Sequence, residues 1–352
     1  MLQKNNRLPL WAFLLLQLLL AGLVLCVFAL FHHVIPFYKT RSEGMPAPIA
    51  AVERTETPAP TVLPAETPQE REEETAPEEE PAEPEPTEEP RPLTWAEKFA
   101  DQFTEETVWE DLHYSSPGMA VTVTRYEYTE LLPKGVFFVA DIYLSDVEQL
   151  QAAFPLNGYT FAVPAAIARD AQAVVAVNGD CFVDQRGEGF VVRNGQIYSE
   201  KDTLADICVL YYDGRMETYG PGEYTAEEII GQEPWQIWHF GPSLLNADGS
   251  PKESFNISDA LLITHPRTAL GYYEPGHYCF VVVDGRQGGY SLGAEMQTLS
   301  AIMSDLGCAA AYNLDGGASS VMVFHGQVIN RPYGDRYLND LVVAAEIGEA
   351  EG

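Results

Sequence analysis

Residues 309–320 have the sequence AAAYNLDGGASS, in which an apolar run ends at one carboxylate, Asp315, followed by two glycines and two serines. The run Ala309 to Leu314 predicts a buried strand. Glycine adopts positive φ angles and lets backbone N–H groups approach a ligand closely. The stretch therefore predicts a strand whose end presents an acid, free amides and hydroxyls at one point. The alternative is a tight hairpin turn in which Asp315 bonds its own loop, because Asp-Gly is a common hairpin signal.

A strand and a helix are predicted directly before this stretch. Tyr278 to Val283 is an apolar strand that runs into Asp284. Leu292 to Leu306 has its apolar residues on one helical face, and Gly307 fits the residue that stops a helix. A crossover helix joins parallel strands, whose carboxyl ends lie at one edge of a sheet. We therefore expect Asp284 and Asp315 at the same edge, which is where such sheets bind ligands.

A third apolar strand ends in the same way. Ala173 to Val177 follows a short predicted helix, Pro164 to Asp170, and is followed by Asn178 and Asp180. A hairpin turn would explain one strand that ends in an acid, but it explains three such strands at one edge of the sheet less well. We expect Asn178 and Asp180 to join the other two acids.

The rest of the chain predicts mostly strands. Residues from Met119 onward alternate between apolar and polar, and Asn194-Gly195 and Asp213-Gly214 are hairpin turns between apolar runs. Trp95 to Leu112 has helical spacing of its apolar residues. The sequence thus predicts an α+β fold, with a mixed sheet, a βαβ crossover and several β-hairpins.

Composition narrows the classes of partner. The chain has 352 residues and a formal net charge of −32, which argues against nucleic acid because nucleic-acid binding needs a basic surface. The cysteines show no C-x-x-C metal-binding spacing. An extracellular location would permit disulfides, but buried free thiols are at least as compatible with the sequence. The cysteines whose state the sequence leaves open are Cys181, Cys208, Cys279 and Cys308.

The N-terminal quarter predicts a membrane anchor and a spacer. Residues 8–31 are apolar for longer than the roughly 20 residues that a membrane-spanning helix needs, and an aromatic segment follows where a signal peptide would be cleaved. Residues 32–92 are rich in Pro and Glu and predict a disordered linker. We expect residues 1–7 in the cytoplasm and 93–352 as an extracytoplasmic domain with its main motifs at 164–347. The prediction is a single-pass protein of the plasma membrane.

Five segments together resemble the phosphodiester glycosidase family, which includes the lysosomal enzyme that removes N-acetylglucosamine from phosphodiester-linked mannose. They are Asn178 to Phe182, Pro266 to Gly271, Val283 to Arg286, Asn313 to Ser320, and Asn330 to Pro332. Their order and spacing carry the resemblance, since no single segment is specific.

This chain departs from the family pattern at two places. Ala318 stands where the family usually has a third glycine, which predicts a tighter loop. Asp180 and Cys181 stand where the family usually has glycine or a second aromatic residue. The second departure leaves open whether Asp180 is a catalytic acid or a change that alters substrate choice.

The resemblance implies hydrolysis of the sugar C1–O bond in sugar-1-phosphodiesters of envelope or exopolysaccharide glycans. The phosphate leaving group is already acidic, so the reaction needs chiefly a carboxylate near the anomeric carbon and donors around the phosphate. The implied catalytic residues are Asp315, Asp284 and Asp180. The implied substrate-binding residues are Asn178, Arg267, Thr268, Arg286, Asn313, Gly316, Gly317, Ser319, Ser320, Asn330 and Arg331.

Several alternatives remain at this point. Arg267 or Arg286 could pair with an aspartate as a structural ion pair instead of binding phosphate. No cofactor is required, but the three aspartates could together hold Ca²⁺ or Mg²⁺, which prefer oxygen ligands. A non-catalytic glycan-binding module and a metal-dependent phosphodiesterase that cleaves the P–O bond are the alternative functions.

Overall fold

The computed structural model describes residues 17, 19–23, 38–39, 47–54, 91–128, 134–156, 160–181 and 189–347. The strands are β1 (Tyr38–Lys39), β2 (Ala50–Ala51), β3 (Val108–Glu110), β4 (His113–Ser115), β5 (Met119–Tyr128), β6 (Gly135–Leu144), β7 (Leu150–Ala153), β8 (Phe161–Ala162), β9 (Ala173–Asn178), β10 (Phe190–Arg193), β11 (Gln196–Glu200), β12 (Ile207–Tyr211), β13 (Met216–Tyr219), β14 (Pro234–His239), β15 (Arg267–Glu274), β16 (His277–Val283), β17 (Ala310–Asn313), β18 (Met322–Phe324), β19 (Gln327–Val328) and β20 (Leu341–Ala345). The helices are α1 (Trp95–Lys98), α2 (Pro164–Asp170), α3 (Ala226–Ile230), α4 (Asp259–Leu262) and α5 (Met296–Asp305).

Within the described residues these strands form three large sheets and one two-stranded pair. The seven-stranded sheet has the order β17-β15-β16-β6-β5-β4-β3, the six-stranded sheet β13-β12-β14-β10-β11-β2, and the five-stranded sheet β19-β18-β9-β20-β7. The small pair is β1-β8. Each strand pairing in these sheets is antiparallel, so the prediction of a mixed sheet was wrong for this part of the chain.

The seven-stranded sheet is buried on both faces. Along β16, Tyr278 and Phe280 point to a core shared with the other two large sheets. The alternate residues Cys279 and Val281 point to a second core that helix α5 covers. This explains why β16 is a continuous apolar run, since successive side chains of a strand face opposite sides. Helices α2 and α3 cover the outer faces of the five- and six-stranded sheets.

The predicted crossover is present with one difference. Strands β16 and β17 are both antiparallel to β15, so they run in the same direction, but β15 lies between them. Asp284 and Asp315 follow the ends of these two strands and therefore do lie at the same edge. The first residues of β15 lie there too, because Arg267 pairs with Val283 and Ala269 pairs with Asn313.

Local predictions agree closely with the structure. Helix α2 begins at Pro164, whose fixed φ suits the first helical position. The turn at Asn194-Gly195 has positive φ at both residues, 51° and 69°, as two-residue hairpins require. Helix α5 ends before Gly307, which has φ 81°.

The predicted helix from Trp95 to Leu112 was wrong beyond its first turn. Helix α1 has four residues, and the chain then enters β3 and β4. The aromatic side chains fill gaps at hairpin turns instead of forming a helical stripe. The indole of Trp95 lies over the α-carbon of Gly214, and buried Phe99 lies against Gly276 and the ring of Tyr143.

The N-terminal predictions lie largely outside the described residues. Of the predicted anchor, residues 8–31, only 17 and 19–23 are described, and no helix among the described residues is long and apolar enough to cross a membrane. Within the predicted linker, Ala50 and Ala51 form the edge strand β2, which pairs with β11, and the side chain of Val52 is buried. Residues 55–90 of that linker are outside the described part.

Candidate active site

The turn after β17 is fixed by its own backbone. The N–H of Gly316 donates to Asp315 Oδ1 at 2.8 Å, and the N–H of Gly317 donates to the carbonyl of Pro266 at 2.9 Å. Both amides are therefore used within the protein, contrary to the expectation that they hold a phosphate oxygen. Gly317 has φ 65°, and a Cβ there would lie 3.1 Å from a guanidinium nitrogen of Arg286. The positive φ favours glycine at this position, and a Cβ would in addition press on the guanidinium of Arg286.

The carboxylate of Asp315 is oriented by three neutral donors. Besides the N–H of Gly316, the thiol of Cys181 donates to Oδ2 at 2.8 Å, and the hydroxyl of Ser319 donates to the same oxygen. The nearest cation is the exposed Arg336, whose Nη1 lies 3.7 Å from Oδ2. The Asp315 side chain keeps 14% of its surface exposed. It is thus held in one orientation and remains accessible.

Cys181 acts here as a neutral hydrogen-bond donor. Burial and the nearby charge of Asp315 raise the pKa of its thiol far above the ordinary value. Its backbone has φ 62°, which is unusual for a residue with a side chain. The strained backbone conformation and the hydrogen bond to Asp315 occur at the same residue, where the sequence departs from the family pattern.

Two arginines lie beside this carboxylate, and neither has an acidic partner in the part of the chain that the structure describes. Arg267 is buried and donates through Nε to the carbonyl of Ala294, and through Nη2 to the carbonyls of Leu261 and Ile263. Burial and then the charge of Arg286 lower the pKa of Arg267 to about 10. Among the described residues neither arginine has a carboxylate within salt-bridge distance. An uncompensated pair of cations at one point favours an anionic ligand.

His265 positions Arg286. Its Nε2 lies 3.1 Å from the carbonyl of Ala260, which can only accept, so Nε2 carries the proton. Its Nδ1 is then free to accept from Nη2 of Arg286 at 3.2 Å. Burial lowers the pKa of His265, which favours the neutral ring that this arrangement needs.

These groups line one small cavity of about 190 Å³. Its lining residues are Phe240, Gly241, Leu261, His265, Arg267, Arg286, Met296, Asn313, Asp315, Gly316 and Gly317. Asn313 is buried, and its Nδ2 donates to the carbonyl of Gly241. Its Oδ1 has no hydrogen-bond partner among the described residues. A buried unpaired acceptor beside the cavity is a natural partner for a ligand hydroxyl, as predicted for this residue.

Asp180 does not line the cavity. Its carboxylate is fully buried and forms a 2.5 Å ion pair with Nη2 of Arg193, and it also accepts the backbone N–H of His239 at 2.8 Å. A second acid, Asp340, lies 3.8 Å from the same guanidinium. The structure therefore gives Asp180 a structural position and not the catalytic position expected from the strand-end pattern.

Asp284 is also enclosed. Its carboxylate accepts hydrogen bonds from the side chains of Asn330 and Tyr290, both at 2.8 Å, and from the backbone N–H of Arg331. Burial raises its pKa, and these donors oppose the rise. Asp284 thus anchors the chain at 330–331, and Asn330 and Arg331 support this acid instead of lining the cavity.

Three other residues that were predicted to bind substrate, Asn178, Thr268 and Ser320, do not line the cavity. Buried Asn178 accepts from Thr268 Oγ1 at 2.7 Å and donates through Nδ2 to the backbone carbonyl of Asp315 at 2.7 Å. It thereby joins β9, β15 and the turn after β17. Ser320 is buried, and its hydroxyl has no hydrogen-bond partner among the described residues, but it does not line the cavity.

The three aspartates do not form a metal site. Asp180 pairs with Arg193, Asp284 with Asn330 and Tyr290, and Asp315 with neutral donors. Among the described residues no group of three or more His, Cys, Asp or Glu side chains is placed to hold a metal ion.

Sequence reasoning missed several residues of this region. Cavity-lining Phe240 and Gly241 have no polar side chain of their own, so nothing in the pattern indicated them. Arg193 had no local signal either, because it reaches Asp180 from another strand. Cys181 did carry a signal, namely its departure from the family pattern next to an acid.

Comparison with known proteins now adds to this geometry. The sequence model of the family described as phosphodiester glycosidase matches residues 171–345. This part of the chain belongs to the phosphodiester glycosidase family. The match covers the cavity, the strands that end at it and the buried Asp180–Arg193 pair, so the site lies within the family's own region.

Two similar proteins can be compared with this one. The uncharacterized SPbeta prophage-derived protein YomE of Bacillus subtilis strain 168 is 32% identical over 171 residues, which are 47% of this chain and 26% of that protein. This chain thus spans about a quarter of the length of that relative. The catalytic domain of zebrafish N-acetylglucosamine-1-phosphodiester alpha-N-acetylglucosaminidase, auto-inhibited by its pro-peptide, is similar in structure with a TM-score of 0.54 and 17% identity. That similarity covers 69% of this chain and 88% of the zebrafish domain, and at this identity it concerns the fold alone.

Proposed function

We propose that this protein hydrolyses the sugar C1–O bond of sugar-1-phosphodiesters in envelope or exopolysaccharide glycans. The observation that carries the proposal is the presence, in one cavity, of the accessible Asp315 and two arginines that have no acidic partner among the described residues. A phosphodiester supplies the anion for the arginines, and its sugar brings an electrophilic carbon to the carboxylate. Membership of the phosphodiester glycosidase family supports the same reaction.

The chemistry assigns distinct tasks to these groups. Arg286, oriented by neutral His265, binds the phosphate together with the positive potential of buried Arg267. When the C1–O bond breaks, its electron pair leaves with the phosphate oxygen, whose charge these cations stabilise. Asp315 stabilises the positive charge that develops at C1, either as the nucleophile or as the base that takes a proton from the attacking water. The products are a free sugar and a phosphomonoester.

Membrane tethering is part of the proposal. The apolar run at residues 8–31 would anchor the chain, and the acidic segment that follows would hold the catalytic domain in the extracytoplasmic space. Digestion of intact cells with a protease tests this arrangement. We expect loss of the C-terminal domain from intact cells, and its survival there with digestion after lysis would contradict the orientation.

Hydrolysis in ¹⁸O-labelled water tests the reaction itself. The full chain is incubated with N-acetylglucosamine 1-(methyl phosphate), and the products are separated and weighed by mass spectrometry. We expect the label in the released sugar, because water attacks C1, and none in the methyl phosphate. Label in the phosphate, with phosphate retained on the sugar, would instead indicate P–O cleavage. Binding without any product would indicate a glycan-binding module.

A further inference from the structure

Four exposed apolar residues neighbour the two arginines of the cavity, and one of them, Leu261, lines the cavity itself. Leu261, Ile263, Leu292 and Tyr333 are 40%, 57%, 44% and 50% exposed, respectively. Single exposed apolar residues are normal, but a group of them at one place marks a binding surface. We call these four residues the apolar collar.

Each residue of the collar is attached to one of the two arginines. Arg267 donates to the carbonyls of Leu261 and Ile263, both at 2.6 Å. The backbone N–H of Arg286 donates to the carbonyl of Leu292 at 3.0 Å, and its guanidinium lies 5.3 Å from the ring centre of Tyr333. The two arginines therefore supply the positive charge of the cavity and also contact the backbone or the ring of each collar residue.

We infer that the ligand of this site is an amphiphilic sugar phosphodiester, whose phosphate enters the cavity and whose aglycone places a hydrocarbon group on the collar. The charge of the two arginines identifies the anionic part, because neither has a carboxylate partner among the described residues. The collar identifies the apolar part, because exposed hydrocarbon gains free energy only when something apolar covers it. The inference rests on the proposed function for the chemical nature of the anion.

Binding of matched esters tests the inference. The probes are the methyl and hexyl phosphodiesters of N-acetylglucosamine 1-phosphate. A third probe, hexyl N-acetylglucosaminide, has the hexyl group but no phosphate. Calorimetry measures each Kd on the full chain, kept in an amphipathic polymer, with a protein-free titration subtracted. Each methylene group that becomes buried strengthens binding about fourfold, so burial of only two makes the hexyl ester about 15-fold tighter than the methyl ester. The phosphate-free probe should bind far more weakly than the hexyl phosphodiester.

A collar variant and a matched control locate the effect. Leu261→Gln, Ile263→Thr and Leu292→Gln together should bring the ratio of the Kd values of the methyl and hexyl esters close to 1. The control is Leu204→Gln, which alters a side chain that is 88% exposed but lies outside the cavity lining. It should leave the ratio as in the unaltered protein. All four side chains are exposed, so the changes should have little effect on folding.

Binding and turnover separate this inference from the proposed function. Equal Kd values for the methyl and hexyl esters would overturn the amphiphilic ligand, even if both esters are hydrolysed. The same holds if the Leu204→Gln control lowers the ratio of the two Kd values as much as the collar variant does. A chain-length effect that depends on the collar, without hydrolysis of either ester, would support the ligand class and reject the reaction.

Discussion

Strands β9 and β17 end with the same residue types, but the aspartates that follow them lie in different environments. Each is an apolar strand that ends at a buried asparagine, and each is followed two residues later by an aspartate, Asp180 or Asp315. Asp180 is fully buried against Arg193, whereas Asp315 opens into the cavity. An acid at the end of a strand therefore does not by itself mark a catalytic position.

The difference lies in what satisfies each carboxylate. Arg193 is almost completely buried and must have an anion near it, so its positive charge neutralises the carboxylate of Asp180. The hydrogen-bond donors to Asp315 are a thiol, a hydroxyl and a backbone amide, which fix its direction without neutralising it. The only cation within salt-bridge distance among the described residues is the exposed Arg336 at 3.7 Å, whose charge solvent screens. A charge that is oriented but not neutralised can act on a substrate. The predictions below test this contrast.

Asp315→Asn should have the largest effect on activity. The amide keeps the size of the side chain but cannot act as nucleophile or base, so we expect kcat for release of reducing sugar to fall about 10²–10⁴-fold. The measurement is reducing-sugar release from a sugar-1-phosphodiester. The control is Asp305→Asn, an exposed acid at the end of α5, which should keep normal kcat. Equal activity of Asp315→Asn and the unaltered protein would remove Asp315 from the mechanism.

Asp180→Asn should act on stability instead. It leaves the buried guanidinium of Arg193 without its closest counter-charge, and breaking a buried ion pair on one side costs about 3–5 kcal/mol. Denaturant unfolding measures this free energy. The matched comparison is Asp315→Asn, which removes no fully buried ion pair and should therefore cost less stability than Asp180→Asn.

The opposite pattern would reverse the contrast between the two strand ends. It would consist of a stable Asp180→Asn protein without activity and an active but destabilised Asp315→Asn protein. Asp180 would then be the catalytic acid that the strand-end pattern first indicated.

Features set by neighbouring residues could be predicted from the sequence. The helix at Pro164–Asp170 and the Asn194-Gly195 hairpin follow from a few adjacent residues whose φ preferences are strong. The shared edge of Asp284 and Asp315 followed from the direction of a crossover. That β15 lies between β16 and β17 could not be predicted, because the choice of neighbour depends on contacts between distant parts of the chain.

Only part of the candidate site could be predicted, again because contacts between distant parts of the chain decide the rest. The turn at Asp315 and the two arginines lie in segments whose composition indicates them directly. The fates of Asp180 and Asp284 depend on Arg193 and Asn330, which reach them from other strands and loops. Only the packed structure distinguishes an acid that faces a cavity from one that holds the fold together.

Cys181→Ala should have a moderate effect on activity. It removes one of the three donors to Asp315, and a hydrogen bond to a charged group contributes about 1.5–3 kcal/mol. Since Ser319 and Gly316 still orient the carboxylate, we expect kcat/KM to fall about 10-fold. Cys181→Ser restores a donor at the same place and should recover most of this loss. If the alanine and serine variants are equally impaired, the thiol has no role as a donor.

Asp340 affects stability and not activity, and its effect is visible as a dependence on pH. Burial, and then the negative charge of Asp180, raise the pKa of Asp340 to about 7, from an ordinary value of 3.8. The unfolded chain loses this proton near pH 4, whereas the folded protein keeps it until about pH 7. The contribution of Asp340 to stability is therefore most favourable below pH 4, declines as pH rises from 4 to 7, and is constant above that.

Asp340→Asn should remove this dependence. The amide cannot ionise, and its oxygen can still accept the backbone N–H groups of Asp180 and Cys181 that the carboxylate accepts. Denaturant unfolding at several pH values should show a variant that gains stability relative to the unaltered protein between pH 4 and 7, with a constant difference at higher pH. A difference that does not change with pH would mean that Asp340 is ionised throughout and that Arg193 holds both carboxylates as anions. In that case Asp180 would share its counter-charge, and the contrast with Asp315 would be weaker than the buried ion pair suggests.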